Sequence, residues 1–274
     1  MKGIAFGQYY PSNSVLHRLD PRFKIIITVL YIVSTFLCKN ILSFALLLLS
    51  AVVLVLLGRV PLKLVLKSLR PVLLILGFTA VLNVFWTGGE GEPIFSKWII
   101  KIYIEGIYNA VFIMVRIVTL IIGTSMLLTY TTTPIALTDA IEDLLSPLKK
   151  LRVPVHEFAM MMTIALRFIP TLMEETDKIM TAQKARGADF SSGSLTQRAK
   201  ALIPVLIPLF VSAFNRASDL ATAMECRCYH GGEGRTRMTV RHIRFTDVAY
   251  LVMVVAFGGA IVWLNILGIG FTMR

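Results

Sequence analysis

Long apolar runs separated by short polar connections fill most of the first 130 residues. Asp20-Pro21 reads as a helix start, with Asp as the cap and Pro at the first helical position. An apolar run, Phe23 to Leu37, follows between the flanking cations Arg22 and Lys24 and the tight connection Cys38-Lys39-Asn40. A second run, Ile41 to Leu57, returns in the opposite direction. Beyond Gly58-Arg59-Val60-Pro61, the stretch Leu62 to Arg70 is amphipathic. Arg59, Lys63 and Lys67 recur every four residues, and Leu62, Leu66 and Leu69 lie on another face. Such a segment is expected to lie in the membrane interface. A third span is expected from Pro71 to Trp86, with Trp86 as an aromatic interface anchor. A mixed-charge loop, Thr87 to Glu105, precedes a fourth span from Gly106 to Tyr130, and a fifth runs from Val248 to Leu267.

Between the fourth and fifth spans the period changes. Thr133-Pro134 opens a short helix to about Lys150, acidic early (Asp139, Glu142, Asp143) and basic late (Lys149, Lys150, Arg152), an order that suits the helix dipole. Pro154 opens a helix of about thirty residues whose apolar stripe comprises Phe158, Met161, Met162, Ala165, Phe168, Ile169, Leu172 and Met173. Pro170 is expected to kink it ahead of a polar half containing Glu174, Glu175, Asp177 and Lys178. Gly187 suits the position just past the helix end, and Ser194-Leu195-Thr196-Gln197 is a capping box for the next helix. That helix contains Pro204 and Pro208, then an apolar face of Phe210, Ala213, Phe214, Ala217, Leu220, Ala221 and Met224. Methionine-rich stripes of this breadth fit either a packed core or a surface that accepts partners.

Composition changes the picture in one respect: this is a membrane protein. Of 274 residues 56% are hydrophobic and only 16% charged, with a mean hydropathy of +0.73, against about 25% charged in soluble domains. The fold class is therefore all-α, a polytopic membrane protein with about five transmembrane helices. The regions are 1–130, 131–246 and 247–274: a membrane region of about four spans, an amphipathic helical block, and a C-terminal transmembrane helix. Net charge is +12, dispersed among the spans, which points to loop orientation rather than nucleic acid. Lys2, Arg18, Arg22, Lys24, Arg59, Lys63, Lys67 and Arg70 lie on one side of the first spans, against Lys39, Lys97 and Lys101 on the other. Eight against three places the N-terminus and the 131–246 block in the cytoplasm. The three cysteines, Cys38, Cys226 and Cys228, make no disulfide framework, and residues 1–21 carry no signal-peptide pattern.

The chemistry sits at two helix ends. The first long helix closes Ala182-Gln183-Lys184-Ala185-Arg186-Gly187, and the second closes Met224-Glu225-Cys226-Arg227-Cys228. One arginine in a last turn is accounted for as a C-cap cation. Two successive helices ending in Arg between small residues suggest more: small neighbours admit a partner's backbone, and guanidinium grips carboxylates in a bidentate fashion. Other candidates carry less. Gly231 to Thr236 is glycine-rich but lacks the Gly-Lys-Ser/Thr ending of a phosphate loop. Cys226, Cys228 and His230 offer at most three awkwardly directed metal ligands, so no metal site is assigned. His17, His156 and His242 are isolated and suit surface or interface positions. Arg116 lies inside a span, where a charge suits either a structural or a transport role. Asn83 suits a helix-packing hydrogen bond. No Ser/His/Asp set or carboxylate pair shares a face, so the chain reads as non-catalytic.

Over nearly its whole length the sequence resembles the transmembrane T component of energy-coupling factor (ECF) transporters, ABC-type importers. The resemblance is carried by Leu16-His17-Arg18-Leu19-Asp20-Pro21-Arg22-Phe23-Lys24, by Ala165-Leu166-Arg167-Phe168-Ile169-Pro170 and above all by Ala182-Gln183-Lys184-Ala185-Arg186-Gly187-Ala188. It implies long cytosolic-side coupling helices whose two Ala-Arg-Gly-like ends dock on two ATPase subunits, A and A′. Those ends are Ala185, Arg186 and Gly187, and Cys226, Arg227 and Cys228; in the second, two cysteines stand where Ala and Gly would match the first. It also implies that a separate substrate-binding S subunit is held by Phe158, Met161, Met162, Ala165, Phe168, Ile169, Met173, Phe210, Phe214 and Met224. ATP-Mg would bind the ATPases and no cofactor this chain, and the complex would import vitamins or transition-metal ions across a prokaryotic plasma membrane. The rival readings are a conventional ABC permease that lines its own substrate path, which needs polar residues facing one another across several spans, and a membrane-embedded enzyme.

Overall fold

The computed structural model describes residues 9–86, 95–97, 100–190, 192–232 and 243–267. Two compact units emerge, one of residues 134–240 and one of residues 7–133 with 241–274. In the second unit, a short helix α1 (Val15–Arg18) leads to α2 (Pro21–Leu37), α3 (Ile41–Gly58), α4 (Leu62–Trp86), α5 (Ile104–Thr124) and, late in the chain, α9 (Phe245–Leu267). The Asp20-Pro21 start forms as expected, with the Asp20 side chain accepting from the Arg22 amide.

The helix most distant in sequence is fastened at both ends. At its start, buried Asp247 accepts from the Asp20 amide (3.1 Å) and from the Arg244 amide (2.9 Å). Near its end, Asn265 donates to the Leu37 carbonyl (2.6 Å) and accepts from Ser43, while Asn40 donates to the Leu264 carbonyl. Residues 247 and 265 thus sit beside the two ends of α2, so α9 runs parallel to α2. Backbone groups at helix ends need partners in a medium without water, and these side chains supply them.

The opposite polarity belongs to α3 and α5. Buried Lys24, in the first turn of α2, donates to the Thr131 carbonyl (2.8 Å) and the Thr131 and Thr132 hydroxyls, both just beyond α5. The Tyr130 hydroxyl donates to the Leu64 carbonyl at the start of α4. Between α5 and that point the chain widens into a π-helical turn, Ser125–Thr129, closed by the Tyr130 amide on the Ser125 carbonyl. The chain therefore leaves this unit near Thr133 on the face where α2 begins. It returns by Arg244, on the same face.

That parity decides a question composition leaves open. Five described helical stretches are long and apolar enough to span a membrane: Ile41–Gly58, Leu62–Phe85, Ile104–Thr129, Thr196–Glu225 and Phe245–Leu267. The expected first span, α2, has 17 residues and falls just short, while 196–225 qualifies. A lone crossing by 196–225 would bring the chain back on the wrong face. Its helical neighbour carries Glu174, Glu175, Asp177 and Lys178, which a bilayer interior strongly disfavours. The spanning set is therefore α2–α5 with α9.

Other departures from expectation are local. Leu62 to Trp86 is one helix with Pro71 inside it, not an interfacial segment followed by a separate span. A proline removes one backbone hydrogen bond without obliging the chain to stop. The expected loop 87–105 contains a two-stranded antiparallel ribbon, Phe95–Lys97 with Ile100–Ile102; Glu90 and Glu92 lie outside the described residues. Lys24, counted among the flanking cations, is buried. Asn83 donates to Thr79 within its own helix, so its hydrogen bond does not join helices. Arg116 donates to the Cys38 carbonyl at the end of α2 (2.8 Å) and stacks over Phe44. It caps a helix C-terminus, where a cation is favoured.

At Gly123 α5 packs directly against α2: a Cβ there would lie 2.1 Å from the Tyr31 ring. Gly123→Ala should lower the thermal midpoint of the purified protein, by an overpacking cost of about 1–3 kcal/mol. Adding Tyr31→Val should recover part of that loss; an unchanged midpoint for Gly123→Ala would show that the two helices are not in contact.

Candidate docking site: two matching helix ends

The unit 134–240 is built on three helices. α6 (Pro134–Leu145) continues as a 3-10 stretch, Ser146–Leu151, where one continuous helix to Lys150 was expected. Pro147 explains the change, because a proline at that position cannot donate the next α-helical hydrogen bond. α7 (Val155–Ala185) and α8 (Leu195–Glu225) are 31 residues each. The expected capping box opens α8, with the Ser194 and Gln197 side chains satisfying each other's backbone amides. Pro170 lies inside α7, and Pro204 and Pro208 inside α8. His156 pairs with Glu142 at 3.1 Å and ties the start of α7 to α6.

The two long helices are antiparallel. Glu175 accepts from Ser212 and, at 3.1 Å, from Arg216, while Gln183 reaches the Pro204 carbonyl at 3.5 Å. The hydrogen bond from Ser212, aided by the Arg216 charge, holds the Glu175 carboxyl below the usual glutamate range against an opposing loss of hydration. At the other end, Gly231 and Gly232, just past α8, lie beside Glu157 and His156 at the start of α7.

Both helices finish in the same hydrogen-bonded motif. At α7 the Gly187 amide donates to Lys184 (3.0 Å) and the Ala188 amide to Gln183 (3.0 Å), with Gly187 at φ +86°. At α8 the Cys228 amide donates to Glu225 (2.8 Å) and the Tyr229 amide to Met224 (3.0 Å), with Cys228 at φ +55°. These are two Schellman closures. They superimpose Ala185 on Cys226, Arg186 on Arg227 and Gly187 on Cys228, residue for residue. Each arginine is thus the last residue before the left-handed turn, and the turn throws it clear of the helix. All six residues are exposed. Neither guanidinium has an ion pair or side-chain hydrogen bond among the described residues.

Antiparallel pairing places the two arginines at opposite ends of the helix pair. A straight 31-residue helix is roughly 45 Å long at about 1.5 Å per residue, so the two arginines are held far apart. The remaining residues singled out from sequence line the flanks. Phe158, Met161, Met162, Ala165, Phe210 and Phe214 are exposed, the last two stacked on each other and about 70% accessible (71% and 68%). Phe168, Ile169, Met173 and Met224 are half-buried. Among the described residues no three His, Cys, Asp or Glu side chains gather as metal ligands; His242 and most of the 231–236 glycine-rich stretch lie outside those residues.

Known proteins share this sequence over nearly its full length. The sequence model of the CbiQ family, described as cobalt transport protein, matches residues 12–238. A Ruminiclostridium cellulolyticum energy-coupling factor transporter transmembrane protein, EcfT, is 55% identical over 92% of each chain. The chain belongs to the EcfT family. The Bacillus subtilis member is 53% identical over 86% of this chain and 89% of its own, and the Listeria innocua member 45% identical over 97% and 99%. Membership makes this a transmembrane component of an energy-coupling factor transporter, and the apolar helices make it a multi-pass membrane protein.

What sequence inspection lacked was the geometric equivalence of the two ends and their separation. Cys228 is the informative position, since a non-glycine residue in left-handed backbone costs about 1 kcal/mol. Cys228→Gly should therefore raise the thermal stability of the purified protein by about that amount, and Gly187→Ala should lower it similarly. If Cys228→Gly were destabilising, the left-handed closure of α8 would be wrong.

Proposed function

We propose that this EcfT-family member is a non-catalytic scaffold that transmits the motion of two ATPase subunits to a separate substrate-binding membrane subunit. Arg186 and Arg227 each dock, with their small neighbours, into an acidic groove on one ATPase. The exposed apolar residues of α7 and α8, Phe158, Met161, Met162, Phe210 and Phe214 foremost, hold the substrate-binding subunit. ATP-Mg binds the ATPases. Movement of their grooves tilts the two helix ends and so reorients the subunit that carries a vitamin or a transition-metal ion.

The supporting observation is the pair of identical closures facing away from each other, each with a guanidinium that has no partner among the described residues. An exposed cation of that kind is uncommitted until a carboxylate reaches it, and bidentate geometry then gives specificity as well as attraction. Parity adds to the reading: the block between α5 and α9 leaves and rejoins the membrane unit on one face, so both ends can share one compartment. The positive-inside count supports a cytoplasmic N-terminus and puts that compartment in the cytoplasm of a bacterial cell. A permease lining its own path needs uncommitted polar groups among its spans. Arg116 is spent on the Cys38 carbonyl and Asn83 on Thr79.

Arg186→Glu and Arg227→Glu should each reduce ATP-driven uptake at least tenfold and loosen ATPase co-purification. An Arg–carboxylate contact replaced by like-charge repulsion costs several kcal/mol. Membrane insertion should be unaffected. Undiminished uptake by the double reversal would eliminate arginine docking.

A further inference from the structure

The membrane unit contains two cavities that adjoin, and their chemistries differ. The apolar one, of 270 Å³, lies between α2, α3 and α9 and is walled by Ile27, Leu49, Val53, Met253, Val254 and Phe257 among others. Its one charged wall residue, Lys24, has its ammonium engaged by Thr131 and Thr132. The second cavity, of 530 Å³, lies at the α9 entry and is lined by Arg18, Arg59 and Arg244 with Asn13, Thr246 and Tyr250. Leu19 and Tyr250 line both, so the two share a wall.

The three arginines share an unusual situation. They come from α1, from the end of α3 and from the residue before α9, segments far apart in sequence. No Asp or Glu lines their cavity, and none of the three guanidiniums has a side-chain partner among the described residues. Asp247, three residues beyond Arg244, is buried with its two oxygens taken by the Asp20 and Arg244 amides. Arg59 is held in left-handed backbone, φ +49°, as the cap of α3, a conformation that disfavours a side chain yet persists at sites that hold ligands. Three uncompensated cations beside an apolar slot between spanning helices are complementary to one object: a phosphate diester attached to an acyl chain.

We propose that an anionic glycerophospholipid from the bilayer occupies this pair of cavities. Its phosphate is held by Arg18, Arg59 and Arg244, and one acyl chain enters between α2, α3 and α9. Arginine clusters between transmembrane helices at a basic membrane face recognise acidic headgroups, and a phosphate can accept bidentate hydrogen bonds from more than one guanidinium. The lipid joins the start of α9 to α1 and α3 where no protein–protein ion pair does so among the described residues. Zwitterionic phosphatidylcholine, whose choline cation would face the same arginines, is a poor substitute.

The test uses the full chain in nanodiscs of phosphatidylcholine, with or without phosphatidylglycerol, and native mass spectrometry to count retained lipid. One phosphatidylglycerol should remain bound after release, in preference to phosphatidylcholine. Each of Arg18→Gln, Arg59→Gln and Arg244→Gln should lower retention about fivefold, and the triple variant about a hundredfold. The single variants carry the test if the triple variant does not fold. Val53→Trp, which fills the apolar slot and leaves the arginines intact, should also release the lipid. Equal retention of phosphatidylcholine, undiminished retention in the single variants, or displacement by inorganic phosphate alone would overturn the proposal. ATPase co-purification is read alongside and should be unchanged in every variant, which separates this site from arginine docking at Arg186 and Arg227.

Discussion

The attachment of α9 to α2 at both ends is the constraint on which the rest of this molecule depends. Asp247 binds the amide at the start of α2, and Asn265 binds the carbonyl at its end. Within a bilayer an unpaired backbone group costs several kcal/mol, so these bonds fix direction as well as contact. With α5 running opposite to α2 and α9, the chain after α5 leaves, and the chain before α9 returns, on the face where α2 begins. The amphipathic block is thereby kept to an even number of crossings.

Much of this was legible in the sequence. Apart from the start of the third, apolar runs located the membrane helices to within a few residues, because burial in lipid demands long continuous stretches. The capping box at Ser194 and the left-handed Gly187 were readable because each residue has one strong local preference. Pro71 misled because proline is a preference against helix, not a prohibition, and tertiary support carried Leu62 to Trp86 through it. Lys24 read as a surface cation. Its acceptors, Thr131 and Thr132, are more than a hundred residues away, so no local pattern could announce its burial.

The two arginine ends were visible as a repeated motif, but their equivalence and opposition were not. Cys228 does not advertise left-handed backbone as Gly187 does, so the second closure had no sequence signature. Antiparallel pairing through Glu175, Ser212 and Arg216 then turned two similar tips into two tips facing opposite ways.

Sidedness tests this account most directly. With Cys38, Cys226 and Cys228 replaced by Ser, single cysteines at Asn13, Lys39 and Ile243 can be labelled with a membrane-impermeant thiol reagent in oriented vesicles. The account predicts that Asn13→Cys and Ile243→Cys react from one side and Lys39→Cys from the other. Labelling of Ile243→Cys from the side of Lys39→Cys would mean an odd number of crossings between α5 and α9, and would contradict it.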